Sequence, residues 1–181
     1  MTLTCAINRY AAYSNISSSF IFEVINSENR GSRKRIFPCP DSSSTHFSRS
    51  LLFVLLQREP ANTDLLYIKG MSMKCLQQYE EAITAYQHAL RLRSDDARIL
   101  SGIGEVYVIE AREMAEKNTA KVGTQAYIRS HQAQRKLYNQ ALPHLEKART
   151  LDADNTTLWY NNLREVYYKL YKGKELKELE K

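Results

Sequence analysis

Tyr79 to Asp96 reads YEEAITAYQHALRLRSDD, and Tyr138 to Asn155, 59 residues later, reads YNQALPHLEKARTLDADN. Under that shift Ala82 falls on Ala141, Tyr86 on Leu145, Ala89 on Ala148, Leu92 on Leu151 and Asp95 on Asp154. A shorter offset lies upstream, where Leu66 and Leu100, and again Gly70 and Gly104, stand 34 residues apart, and Trp159 lies 59 beyond Leu100. The unit is therefore 34 residues long and is lengthened once by about 25.

Elementary physics accounts for the residue types. Ala82 and Ala89 are seven apart with Tyr86 between them, so all three share one helix face. A glycine inside a helix costs about 1 kcal/mol relative to alanine, so Gly70 and Gly104 at one phase of two helices predict tight helix contacts. A single hairpin cannot hide such a stripe, and stacked neighbours are needed to bury it.

A 34-residue period built from two helical segments resembles the tetratricopeptide repeat. Leu66, where that family often has Trp, Gly70, and the Ala82, Tyr86, Ala89 spacing carry the resemblance in 63–96. Leu100, Gly104 and Tyr107 with Ala141, Leu145 and Ala148 carry it in 97–155, and Trp159 opens a third unit in which Leu163 replaces the glycine. The chain is similar to bacterial tetratricopeptide proteins with an enlarged penultimate repeat and a short Tyr-rich final helix, here LREVYYKLY. The resemblance implies an all-α, right-handed solenoid of helix-turn-helix repeats with a protruding helical hairpin.

The expected organisation is a disordered or loosely attached segment over 1–47 and an array over 48–181. Within the array, 48–62 is a partial repeat, 63–96 a repeat, 97–155 a repeat with an insertion at about 114–137, and 156–181 a partial C-terminal repeat. The first 50 residues hold eleven serines and no sustained period, and Pro38 and Pro40 interrupt the place where a preceding helix would fall. Ser48 to Arg58, closed by Pro60, reads as a second helix without its natural partner, so the Leu51–Leu56 face is a candidate for self-association. Thr63 and Asp64 are expected to start the next helix with good capping chemistry, and Ser94 to Asp96 to close that unit and cap its successor. The insertion reads as two arms of about ten residues, each about 15 Å long, turning near Gly123, and Pro143 predicts a kink in the returning helix.

Chemistry-bearing motifs do not emerge. Cys5, Cys39 and Cys75 are odd in number and widely spaced, and His46, His88, His131 and His144 fall in no metal spacing. Gly102-Ile103-Gly104 has no strand before it, so close packing explains it better than a phosphate loop. No nucleophile, base and oxyanion set is present, and the expectation is a non-enzyme without cofactor or metal. No apolar run approaches the roughly 20 residues of a membrane span, and the missing secretory signal favours a cytoplasmic location, or a periplasmic one if a leader precedes this N-terminus.

The net charge is +6. Residues 1–50 hold six cations against three acids, and the remainder holds 20 against 17, interleaved, which argues against a nucleic-acid partner. What remains is a protein-interaction scaffold binding a peptide or protein, with a structural fragment of a longer array or an RNA-associated repeat as alternatives. In the family the groove is lined by the first helix of each repeat. Carried over, that face is Tyr67, Met71 and Lys74, then Arg98, Ser101, Glu105 and Val108, then Tyr160, Arg164, Tyr167 and Tyr168. Chaperone-binding relatives clamp a peptide's terminal carboxylate with Lys, Asn and Arg, whereas the matching positions here are Tyr67, Met71, Gly102, Thr157 and Asn161, which cannot form that clamp.

Overall fold

A computed structural model describes residues 52 and 54–180 of the chain. Residues 54–58 are helical, Leu52 is buried, and six helices follow: α1 (Thr63–Cys75), α2 (Tyr79–Leu92), α3 (Ala97–Glu116), α4 (Gln125–Leu151), α5 (Thr156–Lys169) and α6 (Gly173–Leu179). Among the described residues there is no strand. The order is that of an all-α helical-repeat solenoid, α1–α2, α3–α4 and α5–α6 forming successive hairpins. The expectations for 1–47, and for the Leu51 and Phe53 part of the self-association face, lie outside the described residues. Of the rest of that face, Leu56 packs on the core and Val54 is exposed.

Helix starts are set by short polar side chains that satisfy free backbone N–H groups. Helix α1 starts at Thr63, as expected, and its cap is Asn62, whose Oδ1 accepts from the N–H of Asp64 at 3.1 Å and of Leu65 at 3.2 Å. The cap lies just before the helix because it must keep extended backbone while its side chain reaches two and three residues ahead. Asp96 does cap α3, accepting from Arg98 N–H at 3.0 Å, and Thr124 caps α4. The α1–α2 and α5–α6 turns share one device, a left-handed residue after the helix end, Gln77 in the first and Tyr171 in the second, each at φ 60°. The next N–H in each reaches back five residues, Gln78 to the Met73 carbonyl and Lys172 to the Tyr167 carbonyl, both at 2.9 Å.

The periodic residues form the core. Ala82, Tyr86, Ala89, Ala141, Leu145 and Ala148 are all fully buried. A Cβ on Gly70 would overlap the Tyr86 ring, and one on Gly102 would lie 3.0 Å from that ring, so two glycines on different helices admit a single tyrosine. Gly104 does the same for Leu145, whose Cγ lies 2.5 Å from where a Cβ would sit. The same knob therefore enters the same hole in the first two hairpins. In the third, Leu163 stands in place of the glycine and Leu179 in place of the knob, both buried in one cluster with Trp159 and Val166. The Leu92 and Leu151 pair repeats without being core: both lie at helix ends and are exposed.

Helix α3 serves both cores. Ile99, Ile103 and Val106 belong to a cluster with Leu66, Met73 and Tyr86, while Ala97, Leu100, Val108 and Ala111 belong to one with Tyr138, Leu145 and Leu163.

The α3–α4 hairpin is unequal. Relative to the periodic positions of Cys75 and Tyr79, α3 runs seven residues further to Glu116 and α4 starts thirteen residues earlier at Gln125. At 1.5 Å per residue the arms add about 10 and 20 Å instead of two equal 15 Å arms. The asymmetry arises because Asn118 to Gly123 is itself the turn, with Gly123 at φ +86° and open space around it. Helix α4 runs through Pro143 without interruption. Pro143 is exposed, and a solvent-facing proline leaves the freed Asn139 carbonyl accessible to water.

Candidate partner-binding surface

The first helices of the hairpins, α1, α3 and α5, lie side by side, and four of the predicted partner-binding residues, Tyr67, Lys74, Arg98 and Glu105, meet across the line between α1 and α3. On α3, Arg98, Glu105 and Arg112 recur every seven residues and so share one edge. Arg98 Nη2 reaches Asp64 on α1 at 3.2 Å and Asp96 at 2.9 Å, and its guanidinium lies 5.5 Å from the centroid of the Tyr67 ring. Glu105 pairs with Lys74 of α1 at 2.7 Å, and that lysine is nearly buried. Arg112 meets Glu165 of α5 through Nε at 2.9 and 3.0 Å, and the Tyr138 hydroxyl donates to the same carboxylate at 3.0 Å. The Arg98–Asp64, Lys74–Glu105 and Arg112–Glu165 pairs all join neighbouring first helices.

Electrostatics follow from this packing. Burial, helped by the Glu105 carboxylate, pushes the Tyr67 hydroxyl up to about 12, with Arg98 opposing. Burial would raise the Asp96 carboxyl too, but hydrogen bonds from Arg98 and Arg93 outweigh it and hold Asp96 below the usual carboxylate range. Burial and the repulsion of Glu80 and Glu113 raise Glu110, and burial lowers His144, which stacks on Tyr107 with ring centroids 6.3 Å apart.

The predicted residues divide. Tyr67, Met71 and Tyr160 are half-buried; Arg98, Arg164 and Tyr168 are exposed; Lys74 and Glu105 face each other. Arg164 is joined to Glu180 of the last turn at 2.8 Å. Tyr167 is a correction: only 4% exposed, it lies in the core and its hydroxyl donates to Glu146 at 3.1 Å. Its neighbour Tyr168 is 68% exposed, since adjacent helical residues point about 100° apart. Ser101 and Val108 are corrections of the same kind. Helix α5 packs closely enough on α3 that the Ser101 hydroxyl donates to the Leu158 carbonyl, and Val108 is fully buried.

Two features escape the sequence reading. Arg112 was legible as the third member of the seven-residue series begun by Arg98 and Glu105, but Glu165 and Tyr138, its partners, are related to it only through the lengthened hairpin. The Tyr86 hydroxyl, fully buried, has no hydrogen-bond partner among the described residues, which no local pattern signals. Among those residues no group of three or more His, Cys, Asp or Glu could hold a metal ion, and no helix is long and apolar enough to cross a membrane.

No curated protein matches the chain. A family model described as TPR repeat matches residues 76–108, from the α1–α2 turn through α2 into α3. Such repeats generally mediate protein–protein interaction and are typically non-catalytic. The matched stretch contains Tyr86, Ala89, Gly102 and Gly104, and the contact Tyr86 makes with Gly70 is repeated by Leu145 with Gly104 in the next hairpin. That unit is thus matched as a TPR repeat over 76–108, and the contact at its centre recurs in space in the next hairpin.

Proposed function

We propose that the array is a non-catalytic scaffold that receives a peptide or protein partner on the side presented by α1, α3 and α5. The observation that carries the reading is the Tyr67–Arg98 stack, an aromatic face and a guanidinium held together at the line between two first helices with Met71 beside them. Aromatic and Arg side chains on rigid elements are the types that anchor interfaces. Arg98 is fixed by Asp64 and Asp96, so little side-chain freedom is lost on contact. Tyr160, Arg164 and Tyr168 continue the surface on α5, and Lys74 and Glu105 contribute as a pair.

The test is selection from a displayed peptide library against the full chain, followed by titration of the recovered peptides with Tyr67→Ala/Arg98→Ala and Tyr160→Ala/Arg164→Ala variants. Loss of affinity by about tenfold or more, an interface hot-spot effect, is the expected result. Recovered peptides that bind both variants as tightly as the parent chain overturn the reading.

A further inference from the structure

The charge excess of the array is not spread over it. From Lys117 to Leu145 there are five Lys or Arg and no Asp or Glu, while the rest of 51–181 holds fifteen cations against seventeen acids. The lengthened hairpin thus carries all the positive excess of the repeats. Helix α4 presents this composition along one exposed stripe: Gln125, Arg129, Gln132, Lys136 and Asn139 follow each other at three- and four-residue steps, with Gln140 beside Asn139, four residues beyond Lys136, all exposed. Arg135 flanks the stripe and Lys121 precedes it in the turn. Arg129, Arg135, Lys136 and Lys121 make no ion pair among the described residues, in contrast to Lys74, Arg98 and Arg112, which are all engaged between helices.

We propose that this stripe is a second interaction surface, separate from the α1/α3/α5 side, that binds the phosphate backbone of nucleic acid. Three observations favour nucleic acid over an acidic protein. The stripe lacks the apolar centre of a protein interface: between 117 and 145 the exposed large apolar side chains are Val122, in the turn, and Ile128, to one side of the stripe. Its side chains are Arg, Lys, Gln and Asn, the donors that contact phosphates and base edges. And it is borne on one helix of 27 residues, a rigid rod whose N-terminal part extends beyond the periodic repeat. Averaged over the whole array, the charges interleave and mask the stripe.

The full chain is titrated, in salt rising from about 50 mM, into a fluorescein-labelled DNA duplex of about 20 base pairs and into a poly(U) strand of similar length, with polyglutamate as the third probe. Binding with Kd of about 10⁻⁴ to 10⁻⁶ M and a log–log salt slope of about −3 is expected for a few phosphate contacts. Preference for duplex or strand identifies which nucleic acid supplies the phosphates. The Arg129→Glu/Arg135→Glu/Lys136→Glu variant, altered only at exposed, unpaired positions and checked for an unchanged helical circular dichroism spectrum, binds at least about tenfold more weakly. The charge-matched Lys169→Glu/Lys174→Glu/Lys177→Glu control stays within about twofold of the parent. The proposal is overturned by absence of binding at the lowest salt, by a stripe variant equal to the parent, by a control that loses as much as the stripe variant, or by polyglutamate binding as tightly as either nucleic acid, which would assign the stripe to acidic proteins.

Discussion

Leu145 occupies the space that a side chain on Gly104 would need: its Cγ lies 2.5 Å from the position of a Cβ there. Gly104→Ala is therefore expected to destabilise the fold by about 1–3 kcal/mol, because both groups belong to closely packed helices that cannot both move aside. Leu145→Ala alone should cost about 2–5 kcal/mol, and the double variant less than the sum, since each change makes room for the other. Urea denaturation of the four proteins measures this; strict additivity would show that the contact is not shared.

Tyr86 gives the opposite sign for a smaller change. Its ring fills the gap between Gly70 and Gly102, but its buried hydroxyl has no partner among the described residues. Tyr86→Phe should leave stability unchanged or raise it by about 1 kcal/mol, while Tyr86→Ala should lower it by about 3–5 kcal/mol. A loss above about 1 kcal/mol for the phenylalanine variant would reveal a bound water or another acceptor at the hydroxyl.

The contacts behind these two predictions were legible before any coordinates, and others were not, for a physical reason. Gly70, Gly104 and the four alanines mark the contact between the two helices of one hairpin, and a 34-residue period exposes that contact because it recurs. How closely the next hairpin stacks is not periodic. Ser101 and Val108 have the phase of a groove face, yet α5 covers them; Tyr167 has it too, yet turns inward to Glu146. Accessibility was thus readable at Arg98 and Tyr168, and in part at Tyr67, where packing leaves the side chain in reach of solvent, and unreadable where stacking between repeats decides.

Gln77 and Tyr171 hold the left-handed conformation that glycine adopts without a steric penalty. Gln77→Gly and Tyr171→Gly should each stabilise the fold by about 1 kcal/mol, as the strained backbone is relieved with the turn hydrogen bonds retained. Thermal or urea midpoints that fall instead would mean that the Gln77 or Tyr171 side chain makes a contribution larger than the backbone cost.

Asp96 ties stability to acidity. Its carboxyl is held below its unfolded value, so the stabilisation it provides is complete above the unfolded carboxylate range, near pH 4, and disappears as pH falls through the lower folded value. Asp96→Asn keeps the helix cap and removes the charge. The variant should be less stable than the parent at pH 7, and the two should converge below about pH 4. Parallel stability curves over that range would contradict the assignment.

Replacing 117–131 by a short turn should leave the repeats folded, with a change below about 1 kcal/mol, because the residues removed are exposed or half-buried and Gln134 and Tyr138 remain. Global unfolding of the shortened chain would show that the arm supports the array.

That α3 contributes to both apolar clusters has a consequence for how the array comes apart. In a solenoid whose units met only at thin interfaces, each hairpin could melt by itself and the transition would broaden with the number of units. Here the helix that completes the first hairpin's core is also the inner wall of the second's, so losing either core alone leaves an apolar face of α3 exposed to water, which disfavours melting of one hairpin by itself. The repeats from α1 to α5 are thereby expected to unfold together, with the seven-residue α6, whose apolar anchors are Leu176 and Leu179 alone, expected to open first.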